Sequence, residues 1–264
     1  MTSAVITPNL LAGRAALVTG GGTGICRGIA LALAAHGCDV AITSRAREHL
    51  DPTVGELRAA GVRAFAHPAD VRRPDEVNEM MATLVGQLGR LDILVNGAAG
   101  NFVCLAEELS PNGFGAVVDI DLKGTFNVSK AALPHLRAQG GSVVNISATL
   151  PYVGTLGQSH AAAAKAGVDS LTKVLACEWG PYGIRVNGIA PGPTEGTEGA
   201  RRLTSEKARE QVLRTCPLGR MTTIEDVANA TLYLVSDAAA FVNGVTLVVD
   251  GGLWLRSART LGEV

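Results

Sequence analysis

Short apolar runs alternate with longer amphipathic stretches along most of the chain. The runs are Ala15–Thr19, Asp39–Ser44, Arg63–Pro68, Ile93–Asn96, Ser142–Ile146, Arg185–Ile189 and Thr246–Val249. Several are apolar throughout, as expected of strands covered on both faces. Between them lie Ile25–His36, Leu50–Ala60, Pro74–Leu88, Gly113–Gln139, His160–Trp179 and Ile224–Ser236. These carry apolar residues at helical spacing or are rich in alanine. Strand and helix in alternation predict an α/β fold, a doubly wound parallel sheet with helices on both faces. Ligands of such a sheet bind beyond the C-terminal strand ends, where the strand order reverses. No fixed-period repeat, low-complexity tract or linker breaks the pattern, so residues 1–264 are expected to form a single domain.

The first strand runs into a cluster of glycines, Thr19-Gly-Gly-Gly-Thr-Gly24, and a helical stretch leaves it. Strand, glycine turn and helix together are the signature of a nucleotide phosphate site, and they make the expected fold Rossmann-type. Glycine lets the backbone approach a pyrophosphate, and the helix start offers free N–H groups and a partial positive charge. The second strand ends Thr43-Ser44-Arg45. In a dinucleotide fold that end faces the adenosine ribose, and an arginine there accommodates a 2′-phosphate, which favours NADP(H) over NAD(H). Asp70-Val71, after the third strand, is a candidate contact for the adenine.

Composition narrows the class. Hydrophobic residues make up 47% of the 264, with 32 glycines and few aromatics, which is a tightly packed α/β composition. A net charge of −1 predicts no strong pull toward nucleic acid or membrane. No apolar run approaches the roughly 20 residues a membrane helix needs. The start, MTSAVITPNL, does not read as a secretory signal. The final Thr-Leu-Gly-Glu-Val is not a recognisable peroxisomal signal. Cys26, Cys38, Cys104, Cys177 and Cys216 are scattered and odd in number, which fits reduced thiols in an intracellular protein, cytoplasmic or peroxisomal, with no metal site.

The chain resembles the short-chain dehydrogenase/reductases over nearly its whole length. The matching pieces are the glycine turn, Asp70-Val71, Leu94-Val-Asn96, Asn145-Ile-Ser147, Lys165 in Ala164-Lys-Ala-Gly-Val-Asp169, Arg185-Val-Asn187, Pro191-Gly192 and Val249-Asp-Gly-Gly252. The resemblance implies cofactor contacts at Gly20, Gly22, Thr23, Gly24, Ile25, Arg45, Asp70, Val71, Asn96, Ala98, Lys165, Pro191, Gly192 and Thr194. It implies a homotetramer built through two long helices, and a substrate lid of two helices near residues 194–216.

Departures from that family carry more information than the matches. Its usual proton-donating Tyr stands four residues before the Lys, where this chain has Ala161, and its usual Ser is replaced by Ala148. Ser147 and Thr149 are poor substitutes, because one step along a strand reverses side-chain direction. Tyr152 lies nine residues before Ala161 and is not read as a replacement acid. Asp121 stands where the family commonly has Asn, placing a titratable acid near the nicotinamide. The third glycine of the turn is replaced by Cys26, which would tilt the first helix or point a thiol into the cofactor site.

Asn96-Gly-Ala-Ala-Gly-Asn101-Phe102, Ser110-Pro-Asn-Gly113, Asp119-Ile-Asp121, Gly124-Thr-Phe-Asn127, Ser147-Ala-Thr149 and Pro191-Gly-Pro193 through Gly199 resemble the 2,4-dienoyl-CoA reductases, the peroxisomal type in particular. That resemblance implies Asp121 and Lys165 as the catalytic pair, with Asn101 a candidate to stabilise the thioester oxygen. It implies acyl-CoA contacts at Arg72, Phe102, Ser110, Pro111, Asn112 and Arg202. Phe102 and Cys104 are candidates to line an apolar acyl pocket, and His160 reads as a hydrogen-bonded structural histidine. The expected activity is NADPH-dependent reduction of a conjugated enoyl thioester. Two alternatives stay open: a reductase of an iminium or biosynthetic intermediate, and a non-catalytic NADP(H)-binding redox sensor.

Overall fold

The computed structural model describes residues 7–203 and 205–257, the side chains of residues 202, 203, 256 and 257 excepted. The strands are β1 (Ala15–Thr19), β2 (Asp39–Ser44), β3 (Ala64–Pro68), β4 (Ile93–Asn96), β5 (Gly141–Ile146), β6 (Ile184–Pro191) and β7 (Thr246–Val249). They form one sheet in the order β3-β2-β1-β4-β5-β6-β7, with every pairing parallel. Strand order reverses between β1 and β4. Alternate side chains of β1 serve opposite faces. Ala16 and Val18 pack with Ile29, Leu33 and Leu232 on one side, and Ala15 and Leu17 with Leu84, Leu88 and Val128 on the other. Apolar residues on both sides explain why this strand reads as an unbroken apolar run.

Helices α1 (Gly24–Ala35), α2 (Arg47–Ala59) and α3 (Pro74–Leu88) follow β1, β2 and β3. The α3 boundaries follow from local chemistry. Pro74 opens the helix where its missing N–H costs nothing, and Gly89 closes it in the left-handed conformation at φ 83°. A Thr223–Asp226 capping box starts α9 (Ile224–Val235). No helix among the described residues is long and apolar enough to cross a membrane.

The expected helix over Gly113–Gln139 is not continuous. It divides into α4 (Pro111–Val118), a π-helical turn (Asp119–Lys123) and α5 (Gly124–Arg137). Gly124 lets the chain press on Val71, where a Cβ would lie 2.5 Å from that side chain. The wider turn carries Asp121 inward, only 2% exposed. Inserted π turns often mark functional sites. The remaining helices are α6 (Ser159–Trp179), α7 (Glu198–Leu203) and α8 (Glu206–Thr215).

Candidate active site

Two clefts open beyond the C-terminal ends of the strands and share Asn101 and Gly199. The first, of about 430 Å³, runs from the glycine turn across the ends of β1 and β2. Gly20, Gly22, Thr23, Arg45, Asp70, Val71 and Ala98 line it, as the sequence predicts for a cofactor groove. Gly20 holds φ 72°, where a side chain would be strained. A Cβ on Gly22 would meet the His49 carbonyl at 2.8 Å. Thr23 precedes α1 without capping it through its side chain, so the first-turn N–H groups stay open to an anion. Thr43 Oγ1, near the end of β2, is buried without a partner among the described residues.

Arg45 is exposed at the same strand end and forms no ion pair among the described residues. Asp70 is already engaged. Arg72 Nε donates to both its oxygens, at 2.9 and 3.0 Å, and that hydrogen bonding holds its carboxyl below the usual range. A nucleotide with a 2′-phosphate fits this groove: open backbone donors, a free arginine and an orphaned hydroxyl all face it.

The second cleft, of about 700 Å³, is mostly apolar. Ile25, Pro191, Gly192 and Thr194 lie on it, together with Val103, Thr149, Val153 and Trp254. Ala208 and Val212 of α8 cover one side. Trp254 is held there by Asp250, whose two carboxylate oxygens accept from Gly252 N and Trp254 N, both at 2.8 Å. Of the expected pair Phe102 and Cys104, neither lines this cleft. Val103 between them lines it instead. The Phe102 ring lies tilted against the buried His160 ring, centroids 4.4 Å apart, and neither nitrogen of that histidine has a partner among the described residues, against the hydrogen-bonded role expected.

Asp121 and Lys165 sit behind the wall between the clefts. Asp121 Oδ1 accepts the Gly100 N–H at 2.8 Å, and Oδ2 lies 3.2 Å from Lys165 Nζ. Lys165 also donates to the Ile146 carbonyl at 2.9 Å. Both side chains are buried, so each charge depends on the other. One residue on, Asn101 Nδ2 donates to Gln158 Oε1 at 2.6 Å. Gln158 Nε2 is committed to the Phe102 and Gly157 carbonyls, which leaves only its oxygen to face Asn101 and so sets the Asn101 amide. With Thr19 Oγ1 accepting from Gly97 N and Ala98 N, three side chains from three elements fix the loop after β4.

A family profile described as enoyl-(acyl carrier protein) reductase matches residues 20–254. A peroxisomal 2,4-dienoyl-CoA reductase [(3E)-enoyl-CoA-producing] of Arabidopsis thaliana is 46% identical over 96% of this chain and 89% of its own. A probable 2,4-dienoyl-CoA reductase [(2E)-enoyl-CoA-producing] of Bacillus subtilis is 44% identical over 92% and 97%. The chain is a short-chain dehydrogenase/reductase. A gluconate 5-dehydrogenase from Burkholderia cenocepacia, solved with NADP and tartrate, superposes with a TM-score of 0.88 at 32% identity, covering 94% of this chain and 97% of that one.

Several positions implied by the family resemblance lie elsewhere in this short-chain dehydrogenase/reductase. Asn96 lines neither cleft; it is buried and donates to Ser129 Oγ and Asn145 Oδ1. Gly24 faces a neighbouring groove beside Thr197. Ser110, Pro111 and Asn112 start α4, where Ser110 Oγ caps Gly113 N at 3.0 Å. Arg72 is turned to Asp70 and to a surface recess with Phe126. The Arg202 side chain lies outside the described residues. Ala161 is 1% exposed and brings no hydroxyl to the tyrosine's position. Tyr152 donates to Asp169 Oδ2 at 2.7 Å, and burial with that contact pushes its pKa well up.

β5 ends at Ile146, so the strand alternation expected at Thr149 does not reach it; Thr149 lies on the apolar cleft while Ser147 is buried. The reading of Cys26 changes too. Its thiol lines neither cleft and instead occupies the space a Cβ on Gly97 would need, 2.0 Å from that position. Burial pushes this thiol up to about 12. Sequence reasoning missed Gln158 and Trp254. The only prior signal for either was proximity to a matched motif, Val249-Asp-Gly-Gly252 for Trp254 and the Lys165 helix for Gln158.

Proposed function

We propose that this enzyme reduces a 2,4-dienoyl-CoA to a 3-enoyl-CoA with NADPH. The observation that carries the reading is the buried Asp121–Lys165 pair, retained beside an Ala161 that offers no acid. Reduction of a carbonyl to an alcohol needs a proton at oxygen. Reduction of a conjugated dienoyl thioester needs one at carbon, so the missing tyrosine has a chemical reason. The names of the Arabidopsis and Bacillus relatives agree with this substrate class.

Gly20, Gly22, Thr23, Arg45 and Ala98 would hold NADPH along the first cleft, with Thr194 near its nicotinamide end. When bound, the cofactor supplies hydride to the far carbon of the diene. The acyl chain takes the apolar cleft, and α7 and α8 act as its lid. Charge then spreads to the thioester oxygen, and preorganised donors at that oxygen lower the barrier. Lys165 brings positive charge behind the Gly100–Asn101 wall, and Asp121 fixes that wall through the Gly100 N–H. A water protonates the α carbon, in the part of the site that Asp121 organises. Arg72 and Arg202 remain proposed contacts for the phosphates of CoA.

Exposed apolar side chains on α5 and α6, Phe126 and Val174 among them, support a homo-oligomer, with a tetramer as the proposed form. The proposed place of action is the cell interior, cytoplasm or peroxisome.

The test is NADPH oxidation with 2,4-hexadienoyl-CoA by wild type, Asp121→Asn and Lys165→Ala. Activity in the wild type and its loss in both variants is expected. Lys165→Ala should also lower stability by about 3–5 kcal/mol in denaturant melts, because it leaves a buried carboxylate unpaired. Full activity in both variants removes the catalytic assignment. Oxidation with a cyclic iminium but not with the dienoyl thioester transfers the reading to imine reduction.

A further inference from the structure

Around the apolar cleft, most hydrogen-bond donors are already committed. The Gly100 N–H is held by Asp121, and Lys165 Nζ by Ile146 and Asp121. Thr194 Oγ1 donates to Gly192 O at 3.0 Å, and Thr197 Oγ1 to Thr194 O at 2.8 Å. Asn101 has spent one of its two N–H groups on Gln158. Thr149 differs from these. Thr149 lines the cleft, and its side chain has no hydrogen-bond partner among the described residues.

Its position gives that hydroxyl a use. The β5–β6 pairing continues one residue past the strand, with Ser147 N donating to Ile189 O at 2.7 Å. Thr149 follows two residues later, beyond the C-terminal edge of the sheet and on the same cleft as Gly192 and Asn101. Thr215 Oγ1 is spent on Gln211 O at 2.8 Å, while Thr155 on the outer loop, Gln211 on α8 and the Trp254 indole also line this cleft.

We propose that Thr149 is a catalytic residue, its hydroxyl and the free N–H of Asn101 forming the donor pair for the thioester oxygen, with Gln158 the positioning residue that fixes the Asn101 amide. This rests on the dienoyl-thioester reading above. The charge on that oxygen develops only during reduction, so the pair acts on the transition state more than on bound substrate. Gln158 cannot turn without breaking its bonds to Phe102 O and Gly157 O, so Asn101 cannot present its oxygen in place of its nitrogen.

The experiment is steady-state kinetics with NADPH and 2,4-hexadienoyl-CoA on wild type, Thr149→Val, Thr149→Ser, Asn101→Ala, Gln158→Leu and the Asn101→Ala/Gln158→Leu double variant. NADPH affinity is read by fluorescence and folding by thermal melting. Thr149→Val keeps the shape and loses the donor, so kcat should fall about 100-fold with KM and NADPH affinity near wild type. Thr149→Ser should restore most of the lost kcat. Gln158→Leu should lower kcat, and the double variant should be no slower than Asn101→Ala alone, since Gln158 acts through Asn101. An active wild type whose Thr149→Val variant keeps its kcat, or loses it only together with NADPH affinity, overturns this assignment and leaves the dienoyl reading intact. Independent, additive losses in the double variant overturn the role given to Gln158. A wild type inert toward the dienoyl thioester overturns both the reading and this proposal.

Discussion

The two clefts meet at Asn101 and Gly199, yet they are made from different material. The cofactor cleft is largely backbone: a glycine turn with positive φ, an uncapped helix start and the ends of adjacent parallel strands. The apolar cleft is made of side chains drawn from many separate stretches: the start of α1, the loop at Val103, the loop after β5, the end of β6, the start of α7, α8 and the turn at Trp254. Backbone demands restrict which residues can stand at a position. An apolar wall demands only bulk and can be supplied by many residues. The first cleft should therefore fail when changed, and the second should change what it accepts.

The largest effect expected is at the arginine that lines the cofactor cleft. Arg45→Ala should weaken NADPH binding by about 10- to 100-fold, the worth of a charge-assisted hydrogen bond of about 1.5–3 kcal/mol. NADH binding should be unaffected. Equal loss for both cofactors in a titration would remove the 2′-phosphate role. Next comes the backbone itself. Gly20→Ala forces a Cβ onto φ 72° and to 3.0 Å from the Gly97 carbonyl, and should lower stability by about 1–2 kcal/mol together with NADPH affinity. A variant that melts and binds like wild type would show that the turn does not need its geometry. The smallest effect belongs to the second cleft. Trp254→Ala should leave hexadienoyl-CoA turnover nearly intact and shift kcat/KM toward longer chains by a few-fold, each buried methylene contributing about 0.8 kcal/mol. An unchanged chain-length profile would detach Trp254 from the acyl wall.

The same contrast governs how much could be read before the structure. β1, β2, β4 and β7 fall at the predicted residues, and for β1 and β4 the reason is burial on both faces, which leaves an apolar run. The glycine turn and Arg45 stood out in the sequence because a pyrophosphate and a 2′-phosphate would impose those residue types. The π turn at Asp119–Lys123 left no such mark, since Asp-Ile-Asp-Leu-Lys fits an ordinary helix equally well. Asp121 could be singled out from the resemblance, but its bond to Gly100 depends on that turn. Thr149 was set aside by a strand argument that stops three residues short of it. Gln158 is an ordinary polar residue in sequence, and only its two carbonyl partners show that its amide has a single available orientation.

Cys26 and Gly97 lie on α1 and on the loop after β4, and they behave as one unit of substitution. With Cys26 present, a side chain at 97 meets the sulfur at 2.0 Å. With both positions glycine, the thiol's volume is left as a void in the core. The cheaper mutational route therefore shrinks residue 26 first and enlarges residue 97 afterwards, since a small cavity is better tolerated than an overlap. A design that imposed the family's usual glycine through Cys26→Gly alone would stop at the void. Consensus substitution, so often stabilising, would here work against the fold unless both residues changed together.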